Sequence, residues 1–262
     1  MKSGQKSQKL LLCTDLDNTL IYSCRREIGS EKRCVELYQG REVSFITEET
    51  FRLLNELKAL CRIIPVSTRT EEQYQRIELG IGEIPFALVC NGGILLINGR
   101  RDEGWLNESR QLVSSAQEEL RKSMELLEKD ARRKFELRFI EQLFVFTKCE
   151  DPQSVVAELK AQLKEELVKV FHNGEKVYVV PNALSKGKAI ERLRSYLRPQ
   201  KIIAAGDSEF DLPMVEAADL GFVPKGFCEV YQTSAQLREK EAVFSDHFLR
   251  EVLRVMKKLA CF

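Results

Sequence analysis

Short apolar runs that alternate with amphipathic segments constrain the fold of this chain more than any other feature of its sequence. Residues 9–14, 62–66 and 86–89 are largely apolar throughout, as strands are when both of their faces are covered. Residues 47–60 instead show apolar residues at helical spacing with acids in the first turn. Residues 70–79 predict a second helix that begins with a threonine cap. Strands that alternate with helices form right-handed crossovers and a parallel sheet. The sequence therefore predicts an α/β fold around a doubly wound parallel sheet.

The alternation stops between residues 94 and 181, where paired strands and longer helices follow one another. Asn-Gly turn signals occur at residues 98–99 and 173–174. Helical patterns cover residues 107–129 and 152–167. The α/β alternation then returns. We therefore predict a doubly wound core formed by residues 1–93 and 182–262, with an α+β domain inserted at 94–181.

The composition excludes several classes of function. The 262 residues include 41 Lys and Arg against 40 Asp and Glu, so no overall charge draws the chain to nucleic acid or to an anionic membrane. No apolar run approaches the roughly 20 residues of a membrane-spanning helix, and the basic N-terminal stretch lacks the apolar core of a signal peptide. The eight cysteines are scattered without a CxxC pair, so neither a disulfide framework nor a zinc site is expected. We expect a cytoplasmic protein with free thiols.

Two of the apolar runs end in closely spaced carboxylates. Asp15 and Asp17 follow the first run, and Asp207, Glu209 and Asp211 follow a later one. Ligands of open α/β sheets bind beyond the carboxyl ends of the strands, and alternate residues of an extended segment point to the same side. Neighbouring carboxylates repel unless a cation or a shared proton compensates them, and Mg²⁺ prefers such oxygen ligands. An acidic turn with a helix cap is the alternative interpretation of each group.

Two further segment ends carry groups suited to a phosphoryl anion. Ser67, Thr68 and Arg69 follow the run over residues 62–66, where hydroxyl, backbone N–H and guanidinium groups would bind phosphoryl oxygens. Lys186 begins a predicted helix, where a cation is unfavourable for the helix unless an anion lies in front of it. Each feature has a simpler alternative, which is a helix cap for the two hydroxyl residues and a solvated side chain for the lysine.

The order and spacing of these four groups resemble those of the haloacid dehalogenase-like (HAD) phosphohydrolases. The matching segments, in order along the chain, are DLDNTL at 15–20, Ser67 after a strand, Lys186, and GDSEFDLPM at 206–214. They span nearly the whole chain. The insert lies between the second and third motifs, with VCNGG before it and SKGKA after it, and resembles the type IIB cap of Cof-type and sucrose-phosphate-phosphatase-like members. The resemblance implies a Rossmann-like core and a mobile cap that closes over the site.

The resemblance also implies roles for individual residues. Asp15 would attack phosphorus and form an aspartyl phosphate, and Asp17 would protonate the leaving oxygen before it deprotonates the hydrolytic water. Ser67 and Lys186 would hold the transferred phosphoryl group. Further substrate contacts would come from three positions: Thr68, Arg69 and Asn91. Mg²⁺ would bind oxygens of the first and last motifs: the carboxylates of Asp15 and Asp207, the main-chain carbonyl of Asp17, and Asp211 directly or through water.

The expected enzyme is therefore a Mg²⁺-dependent phosphatase that acts on a small phosphorylated metabolite, a sugar phosphate. Asp17 favours this over dehalogenation, because the dehalogenases of the superfamily lack that second aspartate. A phosphosugar mutase, or a regulator that binds a phospho-ligand without activity, would use the same fold and acids. These alternatives stay open at the level of the sequence.

Several positions depart from the family pattern or leave a role open. Asn18 replaces a familiar glycine, Phe210 replaces an asparagine, and Thr68 competes with Ser67 for the phosphate role. Residues 22–43 predict an irregular flap or a short hairpin, whose basic residues are either solvated or near the entrance of the site. Candidates for substrate selection in the insert are basic: Arg138, Lys148, His172 and Lys176.

Overall fold

The structure is a computed structural model that describes residues 10–233, 238–240 and 243–260. The chain divides into two compact units, one formed by residues 1–101 and 185–262 and the other by residues 102–184. The insert predicted at 94–181 overlaps the second unit, and its bounds stay a prediction. Every helix within the described ranges is too short or too polar to cross a membrane.

A parallel sheet forms the centre of the first unit. Its described strands are β1 (Leu10–Thr14), β5 (Arg62–Pro65), β13 (Lys201–Ala205), β14 (Leu220–Pro224) and β15 (Arg238–Lys240). They pair in the order β15-β14-β13-β1-β5, and each pair is parallel. β1 lies between two partners, and its apolar run Leu11, Leu12 and Cys13 is completely buried. The predicted α/β fold with a doubly wound parallel core is confirmed.

Helices bury their apolar sides in the same unit. They are α1 (Glu48–Lys58), α2 (Glu71–Gln75), α6 (Lys186–Leu197), α7 (Leu212–Ala217), α8 (Phe227–Tyr231) and α9 (Phe244–Ala260). α1 begins after Thr47, whose hydroxyl accepts a hydrogen bond from the Thr50 backbone N–H at 2.9 Å. Leu53 and Leu57 of α1 share a buried cluster with Phe248 of α9. The apolar spacing that predicted α1 therefore corresponds to its buried face.

We call residues 22–47 the flap, which is a small antiparallel sheet. Its strands are β2 (Tyr22–Ser23), β3 (Lys32–Tyr38) and β4 (Arg41–Thr47). β3 and β4 form a hairpin, one of the two structures predicted for this stretch. Gln39 and Gly40 have positive φ angles, as a two-residue type I′ turn requires. The pairing shifts register between Cys34 and Glu36, which marks a β-bulge in β3.

A second small sheet follows α2. It contains β6 (Phe86–Val89), β7 (Ile94–Ile97) and β8 (Arg100–Arg101). Asn98 and Gly99 join β7 to β8 with positive φ angles, which confirms the predicted turn. A parallel bridge between Val66 and Leu88 places β6 beside the end of β5.

The second unit packs helices against an antiparallel sheet. Its elements are α3 (Glu103–Leu112), α4 (Gln117–Glu128), β9 (Arg138–Ile140), β10 (Phe144–Lys148), α5 (Pro152–Lys160), β11 (Val168–Asn173) and β12 (Lys176–Pro181). The strands pair in the order β11-β12-β10-β9. Leu120 of α4 and Val155 of α5 share a buried cluster with Val145 and Val179 of the sheet. The predicted α+β character of this part of the chain is confirmed.

The single long helix predicted over residues 107–129 is wrong. The chain forms α3 and α4 instead, with a 3₁₀ turn at Ser114–Ala116 between them. The Ser114 hydroxyl donates to the Gln111 carbonyl at 2.8 Å, and serine side chains that bond the backbone in this way compete with helical geometry. The helix predicted over 152–167 also ends early, because the Lys164 backbone N–H donates to Glu119 of α4 at 3.0 Å.

Candidate active site

The central strands bring Asp15 and Asp207 to the same edge of the sheet. β1 and β13 pair in register, with Thr14 beside Ala205, and the Asp15 backbone N–H donates to the Ala205 carbonyl at 2.9 Å. Carboxylate oxygens of Asp15, Asp207 and Asp211 lie within 4.8 Å of one another. The first and last sequence motifs therefore meet at one edge of the sheet and form what we call the acidic cluster, which consists of these three aspartates.

Lys186 joins the acidic cluster from the first turn of α6. Its Nζ donates to Asp15 Oδ1 and to Asp211 Oδ1, both at 2.5 Å, and the residue is 1% exposed. α6 begins after Ser185, whose hydroxyl accepts a hydrogen bond from the Lys188 backbone N–H. The sequence interpretation required an anion in front of this lysine, and the two carboxylates are anions of that kind.

Asp211 fixes the shape of the last motif. Its Oδ2 accepts hydrogen bonds from the backbone N–H groups of Asp207 at 3.1 Å and Ser208 at 2.9 Å, and from the Ser208 hydroxyl at 2.7 Å. A Cβ on Gly206 would lie 2.2 Å from the Asp211 Cβ, so the close approach requires glycine. Asp211 therefore links the Lys186 cation to the loop that carries Asp207.

Gly206→Ala should weaken the fold through this contact. The added methyl group has to displace Asp211 or its loop, and overpacking of this kind costs about 1–3 kcal/mol. Urea unfolding of the metal-free variant measures the change in the free energy of unfolding. Gly104→Ala in α3 is the control, because the nearest atom to its new Cβ is a side-chain oxygen at 3.2 Å. Unchanged stability of Gly206→Ala would contradict the packing described here.

Burial and the neighbouring charges shift the pKa values of the acidic cluster and of Lys186. Burial raises the pKa of Asp15 well above its ordinary range, although Lys186 opposes the rise. Burial, together with the nearby Asp211, raises the pKa of Asp207 to about 7. Burial alone would lower the pKa of Lys186, but Asp15 and Asp211 raise it above its ordinary value. Three carboxylates against one ammonium group form a site that a divalent cation would neutralise.

Ser67 lies beside Asp15 where β5 ends. The Val66 backbone N–H donates to the carbonyl of the residue before Asp15 at 2.8 Å, so the two segments leave the sheet side by side. Ser67 is completely buried, whereas Thr68 is half-buried. The Ser67 carbonyl accepts a hydrogen bond from the Asn91 backbone N–H at 2.9 Å, which brings a third predicted residue to this edge.

Asp17 is bound by Arg69 and does not belong to the acidic cluster. Arg69 Nε donates to Asp17 Oδ2 at 2.8 Å and Arg69 Nη2 to Asp17 Oδ1 at 2.7 Å, which makes a two-point ion pair. Arg69 Nη1 donates to Glu36 of the flap at 2.9 Å. Sequence reasoning assigned Arg69 to phosphoryl oxygens and missed Glu36, because no pattern marks one acidic residue among several in the flap. Glu209 and Phe210 are half-buried and also lie outside the acidic cluster.

The basic candidates of the insert lie on the antiparallel sheet of the second unit. They are Arg138 in β9, Lys148 in β10, His172 in β11 and Lys176 in β12. Arg138 and Lys148 both lie over the ring of Phe135, at 4.9 and 5.1 Å from its centre. Their roles in substrate selection stay predictions.

Solved structures of the same fold cover nearly the whole chain. A sucrose-phosphatase from Synechocystis sp. PCC6803, solved in complex with sucrose and phosphate, is 19% identical with a TM-score of 0.64 over 95% of this chain and 98% of that chain. A trehalose-6-phosphate phosphatase related protein is 17% identical with a TM-score of 0.54 over 95% and 99%. A phosphatase of the haloalkanoate (HAD) enzyme superfamily from Bacteroides thetaiotaomicron is 13% identical with a TM-score of 0.56 over 96% of both chains. At these identities, the likeness establishes the fold.

A family comparison identifies the chain more directly. No curated protein sequence matches it. Residues 68–224, which are more than half of the chain, match the family model described as haloacid dehalogenase-like hydrolase. The predicted hydrolase of the HAD type is confirmed by this match, whereas its action on phosphoric monoesters stays a prediction. The chain belongs to the haloacid dehalogenase-like hydrolase family.

Proposed function

We propose that the chain is a Mg²⁺-dependent phosphatase that hydrolyses a small phosphate monoester, a sugar phosphate, through an aspartyl phosphate on Asp15. The observation that carries this proposal is the buried contact between Asp15 and Lys186 beside Asp207 and Asp211. Lys186 would hold the Asp15 carboxylate at the end of β1 for attack on a phosphoryl group. The positive charge of Lys186 would also offset the negative charge of that group.

The acidic cluster suits a magnesium ion. Its donors are carboxylate oxygens within 4.8 Å of one another, and magnesium prefers such hard ligands. Lys186 is one ammonium group beside three carboxyl groups. Burial, followed by the neighbouring carboxyl groups, raises the pKa values of Asp15 and Asp207. Asp15 and Asp207 would bind the ion together with the main-chain carbonyl of Asp17, and Asp211 would support it. The bound ion would supply further positive charge for the phosphoryl oxygens.

The residues of the chain account for the bond changes. A carboxylate oxygen of Asp15 attacks phosphorus while the ester P–O bond breaks, and Asp17 gives a proton to the departing oxygen. A water molecule then attacks the phosphorus of the aspartyl phosphate and gives a proton to Asp17, while the bond between phosphorus and the Asp15 oxygen breaks. This step releases inorganic phosphate and restores the Asp15 carboxylate. Lys186 and the Ser67 hydroxyl hold the phosphoryl oxygens in both steps.

Sugar phosphates are the proposed substrate class. The fold similarity to a sucrose-phosphatase that was solved with sucrose and phosphate supports this choice. The composition supports a small substrate, because the nearly balanced charge of the chain provides no general attraction for nucleic acid. The insert would select the sugar through its basic candidates: Arg138, Lys148, His172 and Lys176.

Release of inorganic phosphate from a panel of sugar phosphates and nucleotides tests the proposal, with p-nitrophenyl phosphate as a general probe. We expect activity with Mg²⁺, its loss in EDTA and its return when Mg²⁺ is added. Glu42→Gln, which replaces an exposed acid of the flap, serves as the control for variants of the site and should leave the rate unchanged. Turnover without a metal ion would overturn the proposal, and phosphate retained on an organic product would favour the mutase alternative.

The raised pKa of Asp207 makes stabilisation by Mg²⁺ depend on pH. The pKa of this carboxyl rises from 3.8 to about 7 in the fold, so between these values the folded protein holds a proton that the unfolded chain has lost. The contribution of Asp207 to metal-free stability is therefore complete at low pH and is lost as the pH rises toward 7. Mg²⁺ competes with that proton, so we expect it to raise Tm more at about pH 8 than at about pH 6. Equal shifts at the two pH values, measured by thermal unfolding, would contradict this.

A further inference from the structure

A cavity lies in the first unit, away from the acidic cluster. Its volume is about 390 Å³, which falls within the range of small-molecule sites. The lining comes from the end of α1, the start of β5 and the segment before β6, and it includes Lys58, Arg62 and Pro85. Arg62 begins β5, whereas Ser67 follows the other end of that strand. At ~3.3 Å per residue the two positions are about 16 Å apart, so we call this the amino-edge cavity.

The walls of the amino-edge cavity are mostly apolar. Ile63 and Ile81 are at most 5% exposed, and Ile84 and Pro85 are half-buried. The Cys61 thiol also lines the cavity, and burial raises its pKa to about 12, so that it stays neutral. A neutral buried thiol acts as a small apolar group. Sugar hydroxyls would lose their water against such walls without gaining hydrogen bonds, so the walls favour an apolar ligand body over a sugar.

The charged groups of the lining are two cations and one acid: Lys58, Arg62 and Glu83. Lys58 Nζ donates to the Ile81 carbonyl. The Arg62 guanidinium lies over the ring of Phe86, at 4.8 Å from its centre. Within the part of the chain that the structure describes, this guanidinium has no carboxylate partner, and Glu83 is no exception. The lining therefore has a net positive charge and a cation without an anionic partner.

This lack of a partner sets Arg62 apart from other half-buried arginines of the same unit. Arg33, Arg76, Arg101 and Arg194 each pair with a carboxylate. Burial lowers the pKa of Arg62, because its charged form loses water and gains no acceptor in return. A ligand with an anionic group would supply that acceptor, and a guanidinium binds a carboxylate through two parallel hydrogen bonds.

We propose that the amino-edge cavity binds a small organic monocarboxylate, whose carboxylate pairs with Arg62 and whose apolar body packs against the isoleucines. One negative charge matches the net charge of the lining. The inference goes beyond the proposed function and does not rest on it, because none of the residues assigned to phosphate hydrolysis lines the cavity. The competing explanation is that Arg62 is a solvated cation beside an ordinary surface depression.

Isothermal titration calorimetry with 2-naphthoate tests the proposal. The neutral 2-naphthamide has nearly the same shape and is the matched probe. We expect saturable binding of 2-naphthoate by the parent protein and at least about tenfold weaker binding of 2-naphthamide, because charge-assisted hydrogen bonds are roughly twice as strong as neutral ones. The affinity for 2-naphthoate should be the same with Mg²⁺ and in EDTA, because the acidic cluster lies at the opposite edge of the sheet.

Two variants locate the bound probe. Arg62→Gln should weaken the binding of 2-naphthoate about tenfold or more, and that of 2-naphthamide by a smaller factor. Ile84→Trp keeps both cations but fills the cavity, so it should abolish binding, and it decides the matter even if Arg62→Gln does not fold. Arg194→Gln is the matched control, because Arg194 is half-buried in the same unit but pairs with Asp219 at 3.2 Å. It should keep the parent affinity, and thermal unfolding verifies the fold of each variant.

Several results would overturn the inference. They are the absence of saturable binding by the parent, equal affinity for the two probes, and undiminished binding of 2-naphthoate by a folded Arg62→Gln or Ile84→Trp variant. Affinity that requires Mg²⁺ would place the probe at the acidic cluster and would overturn it as well. Asp15→Asn should bind 2-naphthoate as the parent does, so that a failure of the proposed phosphatase function and a failure of this inference are distinguishable.

Discussion

Asp15→Asn should lower the rate of phosphate release by at least about a thousandfold, the scale on which removal of a nucleophile acts in other enzymes. An amide of nearly the same shape cannot attack phosphorus, and the variant keeps Lys186 bound to Asp211 at 2.5 Å. Release of inorganic phosphate from p-nitrophenyl phosphate and from the best sugar phosphate measures the effect. Mass spectrometry of acid-quenched enzyme should find phosphate on Asp15 in the parent and none in the variant.

Thermal unfolding distinguishes this loss from misfolding. Burial raises the pKa of Asp15, which means that its charged form is unfavourable in the folded metal-free protein. Asp15→Asn should therefore keep or increase the metal-free Tm above pH 7, while Glu42→Gln should change neither Tm nor rate. Turnover retained by Asp15→Asn would rule out Asp15 as the nucleophile.

Lys186→Met should destabilise the metal-free protein by about 3–5 kcal/mol, as removal of one partner from a buried ion pair does. Methionine fills much of the same volume but leaves Asp15 and Asp211 buried without the cation that binds both at 2.5 Å. Urea unfolding in EDTA measures the change in the free energy of unfolding. Added Mg²⁺ should recover part of the loss, because the ion would compensate the same carboxylates.

Lys188→Met is the matched control in the same helix. Lys188 forms an exposed pair with Glu191 at 3.0 Å, and such pairs contribute at most about 1 kcal/mol. The double variant Lys186→Met/Asp15→Asn should be more stable than Lys186→Met alone, because one of the two uncompensated charges is then absent. Equal effects of Lys186→Met and Lys188→Met would contradict the buried charge network.

The edge of the sheet at which the acids meet was predictable because the strands are apolar over their whole length. Such runs indicate strands buried on both faces, and the ends of parallel strands lie at one edge. This reasoning located β1 and β5 to within one residue and predicted that Asp15 and Asp207 would approach each other. For Lys186, the unfavourable position of a cation at a helix start suggested a nearby anion, but a solvated side chain stayed the alternative, and the site role came from the family resemblance.

The partners of individual charged side chains were not predictable. Arg69 was expected to bind phosphoryl oxygens, whereas the structure pairs it with Asp17 and Glu36. The pairing depends on the hairpin and bulge of the flap, and these long-range contacts leave no local pattern in the sequence.

Helical periodicity also could not tell one helix from two. Leu112 continues the apolar spacing of Leu120 and Leu127, and this continuity predicted a single helix. In the structure Leu112 is exposed, whereas Leu120 and Leu127 are buried, because the 3₁₀ turn changes the direction in which each helix presents its side chains. A periodic pattern records which residues are apolar, and serines that bond the backbone decide whether the helix continues.

The place of β1 in the middle of the central sheet has a consequence for synthesis of the chain. β1 and β5 leave the ribosome early, whereas β13, which pairs with the other edge of β1, follows only after the whole second unit. Until then one edge of a strand rich in leucine stays open, and open apolar edges pair with other chains. We therefore expect the nascent protein to be prone to aggregation while the second unit, residues 102–184, is being made. A chaperone that covers extended apolar segments should raise the yield of folded enzyme during expression.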